Sequence, residues 1–199
     1  MSSGLYRLLP LFTLLVTAMS AAESKTESIV LGGGCFWCTD AAYKLLPGVT
    51  AVTCGYAGGA EPHPTYEQVC AHATGHAEVV KIDYDPAVVS LDAIFEYFWH
   101  VHNPTQVGGQ GADLGPQYRS IILYAGEAQK RAAEKAKAQA QETFRDPITT
   151  EIVPLVKFWP AEDYHQDYFA KHPEQGYCAA VIAPKIRKLR HALDAAPKP

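Results

Sequence analysis

The apolar positions along this chain switch repeatedly between two periods. Ile29, Val30 and Leu31 form a short apolar run that ends in Gly32-Gly33-Gly34. Ala41, Ala42, Leu45 and Leu46 then recur at helical spacing until Pro47-Gly48. The pattern predicts a strand, a tight turn and a helix, with Cys35 in the helix's first turn. Val49 to Tyr56 carries β-branched residues and closes at Gly58-Gly59, a strand and turn. Thr65 is placed to cap a short helix through Tyr66, Val69 and Cys70. His76 to Tyr84 predicts another strand. Ser90 then caps a helix with Leu91, Ile94, Phe95 and Phe98 on one face, ending near His102-Asn103-Pro104. From Thr105 to Gln117 the periodicity vanishes among four glycines, and an unstructured stretch of that length in a compact domain is usually functional or disordered. Arg119 to Tyr124 predicts a strand, and Glu127 to Phe144 a long surface helix whose apolar face is mostly alanine. Thr149 to Phe158 reads as extended with an interruption at Pro154. Ala161 to Lys171 reads as a short helix, and Pro173 to Gly176 as a flexible approach to Tyr177-Cys178. Ala183-Pro184 opens a last helix carrying Ile186, Leu189 and Leu193. Strands and helices mix without the regular alternation of a doubly wound sheet. No repeat or linker divides them, so residues 23–199 read as a single two-layer α+β domain.

The first 22 residues depart from this pattern. Arg7 precedes an apolar stretch from Leu8 to Met19 that is too short to span a bilayer, and Ser20-Ala21-Ala22 offers small residues for cleavage. They read as a signal peptide, which makes the expected location exported: periplasmic or secreted. A net charge of −4 with 19% charged residues shows no basic excess for nucleic acid, and no later segment is long and apolar enough for stable membrane association. A monomer is expected. Both methionines, Met1 and Met19, fall in the leader, which suits a protein working among oxidants because methionine oxidises readily. Five cysteines in an exported chain leave at least one thiol unpaired, and their spacing is not that of a disulfide-stapled scaffold.

Cys35 is the strongest candidate for chemistry. At a helix N-terminus, free N–H groups and the helix dipole favour the thiolate, so a depressed pKa is expected there. Phe36 and Trp37 can wall an apolar pocket, and Cys38 completes a Cys-x-x-Cys pair. Glu78, if buried among aromatic residues, is expected to stay protonated near neutral pH and to donate a proton. Tyr66 and Tyr118 offer phenolic donors, and Asp113 lies in the glycine-rich stretch. Cys54 and Cys70 read as interior residues, and His165 as a hydrogen-bonded structural histidine. Cys54, His63, Cys70, His72 and His76 cluster in sequence, but only His72/His76 has tight ligand spacing, which argues against a metal site. Two other classes stay open on the residues alone. A thioredoxin-class dithiol oxidoreductase would use Cys35 and Cys38, and an exported metal-binding module would use the cysteines and histidines. Insulin reduction without sulfoxide tests the first, and metal analysis the second.

From about Ser28 to Arg190 the chain resembles the type A peptide methionine sulfoxide reductases. Gly34-Cys35-Phe36-Trp37 is the most specific match. Gly55-Tyr56-Ala57-Gly58-Gly59, Thr74-Gly75-His76-Ala77-Glu78, Gly115-Pro116-Gln117-Tyr118-Arg119-Ser120, Ala161-Glu162-Asp163-Tyr164-His165-Gln166 and Gly176-Tyr177-Cys178 follow in the family's order. The resemblance implies a ferredoxin-like two-layer sandwich, a mixed sheet flanked by helices. It implies reduction of the S-epimer of methionine sulfoxide, free or in oxidised proteins, as protein repair under oxidative stress. Cys35 matches the nucleophile, Phe36 and Trp37 the methyl pocket, and Glu78 the acid; Tyr66, Tyr118 and Asp113 match the groups that hold the sulfoxide oxygen. Cys178 matches a resolving cysteine. Cys38, where many relatives have glycine, is a second candidate for that role. The resemblance further implies a thioredoxin-like reductant and no cofactor: no metal, flavin or nucleotide.

Overall fold

A computed structural model describes residues 26–195. The leader reading of residues 1–22 therefore lies outside the described residues. Strand β1 (Glu27–Gly33) leads into helix α1 (Phe36–Tyr43), and β2 (Val49–Ala57) and the short α2 (Tyr66–Cys70) follow. Next come β3 (Ala77–Tyr84), α3 (Leu91–Val101), and a small hairpin of β4 (Gly109–Gln110) and β5 (Asp113–Leu114). Strand β6 (Ser120–Tyr124), α4 (Glu127–Gln141), β7 (Glu151–Pro154), β8 (Trp159–Pro160), α5 (Tyr168–Lys171) and α6 (Ala183–Ala195) complete the chain.

The six-stranded sheet runs β7-β6-β1-β3-β2-β8. Its four central strands are joined as β1-α1-β2-β3-α3-β6 and are antiparallel throughout, which is the ferredoxin-like arrangement. β7 adds a parallel pairing to β6 at one edge, and β8 pairs antiparallel with β2 at the other. The sheet is therefore mixed, as expected. A thioredoxin-class order is excluded by this topology.

Alternation along the strands decides which side chains meet the helices. Ile29 and Leu31 of β1, Val52, Cys54 and Tyr56 of β2, Val80, Ile82 and Tyr84 of β3, and Ile122 of β6 face the main core. Their neighbours Val30, Val79, Ile121 and Leu123 form a smaller cluster on the opposite face with Phe158. The parity of β3 puts Glu78 on the helix side, two residues before Val80. A carboxyl thus occupies the strand end nearest the start of α1. α1 itself lies almost wholly inside the protein: every residue from Cys38 to Tyr43 is buried.

Two turn glycines are required by close approach. A Cβ on Gly33 would sit 2.9 Å from the ring of the buried His102, and one on Gly34, whose φ is +98°, would sit 2.7 Å from the Gln110 side chain. His102 is held neutral by burial, its value lowered to about 3. Nδ1–H donates to the Phe98 carbonyl (2.9 Å), and Nε2 accepts from the Ser120 hydroxyl (2.6 Å).

Two expected elements are corrected. Thr105–Gln117 is not structureless: it holds the β4–β5 hairpin and the start of a 3-10 turn at Pro116–Tyr118. Ala161–Lys171 is not one helix. A 3-10 turn at Asp163–His165 and α5 are separated by Asp167, which takes left-handed geometry (φ 58°) and pairs with Lys44 of α1. The expected loop before Cys178 is present as a turn and bend at Pro173–Gln175; beyond it Cys178–Ile182 is a π-helical stretch continuous with α6. The first and fourth helices also stop earlier than predicted, at Tyr43 and Gln141.

Candidate active site

Cys35 is the N-cap of α1, and its carbonyl accepts from the N–H groups of Cys38 (3.0 Å) and Thr39 (3.3 Å). The triple glycine delivers β1 to this point, so the thiol emerges where the sheet's central strand ends. Cys35, Phe36, Trp37, Tyr66, Glu78, Asp113, Tyr118 and Tyr177 line one cavity of about 240 Å³. Seven of these were expected from the sequence, and the fold brings all seven together from α1, α2, β3, β5 and the 3-10 turn before β6. Tyr177 was missed as a site residue. Its hydroxyl donates to Asp113 Oδ2 at 2.6 Å across 64 residues of sequence. The match at Gly176-Tyr177-Cys178 was the available signal, read only for its cysteine.

Glu78 is 1% exposed, and its Oε2 accepts from the Phe36 N–H at 3.0 Å. Burial raises its carboxyl to about 8, outweighing that hydrogen bond, which acts in the opposite direction; Asp113 pushes it further up. The acid form is therefore favoured at neutral pH, as expected. Tyr66 and Tyr118 are also raised, mainly by burial, and remain phenolic donors.

The expected depression of Cys35 is corrected. Its thiol is held well above the ordinary value, first by its hydrogen bond to Cys38, then by burial and the nearby Glu78. The helix terminus does act in the predicted direction through the Trp37 N–H, but it is outweighed. Cys38 is instead lowered to about 7 by its hydrogen bond with Cys35, assisted by Lys185 and the Tyr177 hydroxyl, which lies 3.9 Å from its sulfur. Within this pair the thiolate is therefore favoured on Cys38.

The indole of Trp37 is fixed from two sides. It stacks on Tyr168 of α5 (centroids 3.6 Å apart, planes 4° apart) and donates Nε1–H to His165 Nδ1 at 3.1 Å. His165 is buried, and burial lowers its pKa, consistent with a neutral ring. Glu162 accepts from the Tyr66 N–H (2.9 Å) and the Tyr56 hydroxyl (2.8 Å). The Gln166 amide bridges to both backbone groups of Cys54. The segment Ala161–Gln166 thus buttresses the pocket wall, and His165 has the structural role expected of it.

Cys38 and Cys178 do not line this cavity. Cys38 faces a neighbouring one, and Cys178 is fully buried, its thiol raised chiefly by burial. Cys54 is buried and raised far up, also by burial. The histidine and cysteine cluster does not converge: His76 accepts from the Gly59 N–H and pairs with the Glu61 carbonyl. No group of three or more potential metal ligands occurs among the described residues. No described helix is long and apolar enough to cross a membrane.

A thiol, a protonated carboxyl and phenols around one small aromatic-walled cavity suit attack on a polarised heteroatom with proton delivery to its oxygen. The profile of the family described as "Peptide methionine sulfoxide reductase" matches residues 27–196. The peptide methionine sulfoxide reductase MsrA of Thermus thermophilus is 50% identical over 173 residues, covering 87% of this chain and 98% of that protein. Mxr1 from Saccharomyces cerevisiae, solved in reduced form, superposes with a TM-score of 0.74 at 33% identity, covering 80% of this chain and 92% of that one. Mxr1 has also been solved in complex with Trx2. That structure matches at a TM-score of 0.54 and 25% identity, covering 76% of this chain and 90% of that one.

Proposed function

The chain belongs to the peptide methionine sulfoxide reductase family, and from that premise we propose that it reduces the S-epimer of methionine sulfoxide, free or in oxidised proteins, with Cys35 as nucleophile. The observation that carries this reading is the shared cavity of Cys35 and the buried, protonated Glu78. A sulfoxide sulfur accepts a nucleophile only as its oxygen is protonated or strongly hydrogen-bonded. Glu78 supplies the proton, and Tyr66 and Tyr118 supply hydrogen bonds. Asp113, fixed by Tyr177, orders the rim. Phe36 and the braced Trp37 receive the methyl group.

The Cys35 thiolate attacks sulfur as the oxygen is protonated and departs as water. A water molecule then attacks the Cys35 sulfur, the new S–S bond breaks with its electron pair going to methionine, and Cys35 is left as a sulfenic acid. A second thiol, Cys38 or Cys178, condenses with it to a disulfide and releases water. A thioredoxin-like dithiol then reduces that disulfide. The related Mxr1 solved with Trx2 supports this partner class. Reading residues 1–22 as a signal peptide adds that the enzyme works outside the cytoplasm with an exported reductant.

The test is one turnover without reductant. Wild-type protein should form one methionine per chain, and Cys35→Ser none, because an alcohol of nearly the same volume is a far weaker nucleophile. Methionine formation by Cys35→Ser would assign the nucleophile elsewhere.

A further inference from the structure

Cys35 stands between two cavities. The first is the substrate pocket. The second, of about 210 Å³, is lined by Cys35, Cys38, Asp113, Tyr177, Val181 and Lys185 among others. The Tyr177–Asp113 hydrogen bond belongs to both and partitions them. Glu78, Phe36 and Trp37 lie only on the first side; Cys38 and Lys185 lie only on the second. Taking the reading above as its basis, we propose that Cys38 resolves the sulfenic acid on Cys35, and that the second cavity is the opening through which the reductant's thiol reaches the Cys35–Cys38 disulfide.

Three observations carry this. First, Cys35 and Cys38 line the same second cavity from the opening turn of α1, where the Cys38 N–H bonds the Cys35 carbonyl at 3.0 Å, so both sulfurs are brought to one space by local backbone alone. Second, Cys178 is fully buried in a π-helical stretch continuous with α6, and its hydrogen bond and that of Tyr177 to the Gln175 side chain hold the start of that stretch. Cys178 lines neither cavity that Cys35 lines. Third, Cys38 approaches from the side opposite the substrate, so methionine need not depart before the bond forms.

The chemistry balances as follows. The Cys38 thiolate attacks the Cys35 sulfur, the S–O bond breaks, and the oxygen takes a proton and leaves as water. The reductant's thiolate then attacks Cys35 through the second cavity. The Cys35–Cys38 bond breaks, and Cys38 leaves as a thiolate beside the Lys185 ammonium. A lower leaving-group pKa favours that direction. The reductant's second thiol displaces Cys35 from the mixed disulfide, leaving the reductant oxidised and both protein thiols restored. Half-exposed Val181 stands at the mouth as an apolar contact.

The experiment reacts reduced full-length protein with one equivalent of N-acetylmethionine S-sulfoxide, without reductant, and maps products by peptide mass spectrometry. Wild type and Cys178→Ser should form one methionine at the same rate; Cys38→Ser should also end at one methionine, whatever its rate. A Cys35–Cys38 bridge should form equally fast in wild type and Cys178→Ser. Cys38→Ser should instead carry a sulfenic acid that dimedone traps. A Cys35–Cys178 bridge that forms as fast in Cys38→Ser as in wild type overturns the proposal while leaving the function intact. No methionine in wild type overturns both. Val181→Trp, which fills the mouth, should cut the rate of disulfide reduction by a protein dithiol several-fold relative to reduction by dithiothreitol; an unchanged ratio contradicts the assigned opening.

Discussion

At Cys35 and Glu78, proton positions govern the chemistry. The thiol pair must lose its first proton, near the value of about 7 seen at Cys38, before Cys35 can act. Glu78 must keep its proton, which it does up to about 8. The first-turnover rate is therefore predicted to rise through the lower value and fall through the upper one. Glu78→Gln should lower the rate by about 10²–10⁴-fold and abolish the falling limb, because an amide can hydrogen-bond the oxygen but has no proton to give. A stopped-flow pH profile checks both. Stability should move in the same sense: a carboxyl raised by burial contributes its full stabilisation below the ordinary glutamate value and loses it as pH rises through about 8. Cys35 was legible as a cysteine after a glycine turn at a helix start, whereas Glu78 stood out only through the resemblance carried by Thr74-Gly75-His76-Ala77-Glu78. The proton distribution was not, since it depends on which way two thiols point. Nor was Tyr177, whose role is set by a partner 64 residues away.

Among the elements, the β1–α1 turn does the most to position the site, and it tolerates no side chain. Gly33→Ala would drive a Cβ against the His102 ring, which is locked between Phe98 and Ser120. Overpacking of this kind costs about 1–3 kcal/mol, and denaturant unfolding should record a lower midpoint at unchanged slope. An unchanged midpoint would mean that His102 yields freely. The same scale explains where pattern reading stopped. The helical signal of Ala161–Lys171 is real, but Asp167 is drawn out of helical geometry to pair with Lys44, and the segment breaks there. That break is useful: it turns His165 and Tyr168 onto the two sides of Trp37. Thr105–Gln117 read as an irregular loop because hairpin pairing between two-residue strands carries no periodic signal.

Across the whole molecule, a ferredoxin-like sheet is extended at both edges, and the site sits where its central strand meets α1. The order of strands was not derivable from composition or period; the α+β class was, from the absence of regular alternation. If the leader acts as read, intact mass of the exported protein should lack about the first 22 residues, whereas retained Met1 would count against cleavage. Stereochemistry is the sharpest consequence of this pocket. A pocket that fixes the methyl group on Phe36 and Trp37 and the oxygen on Glu78 and the tyrosines can present only one sulfoxide epimer's sulfur to Cys35. Racemic N-acetylmethionine sulfoxide, incubated with the enzyme and excess dithiothreitol and followed by chiral chromatography, measures this. Consumption should stop at half, with the S-epimer gone and the R-epimer untouched. Equal loss of both epimers, or loss of neither, would contradict it.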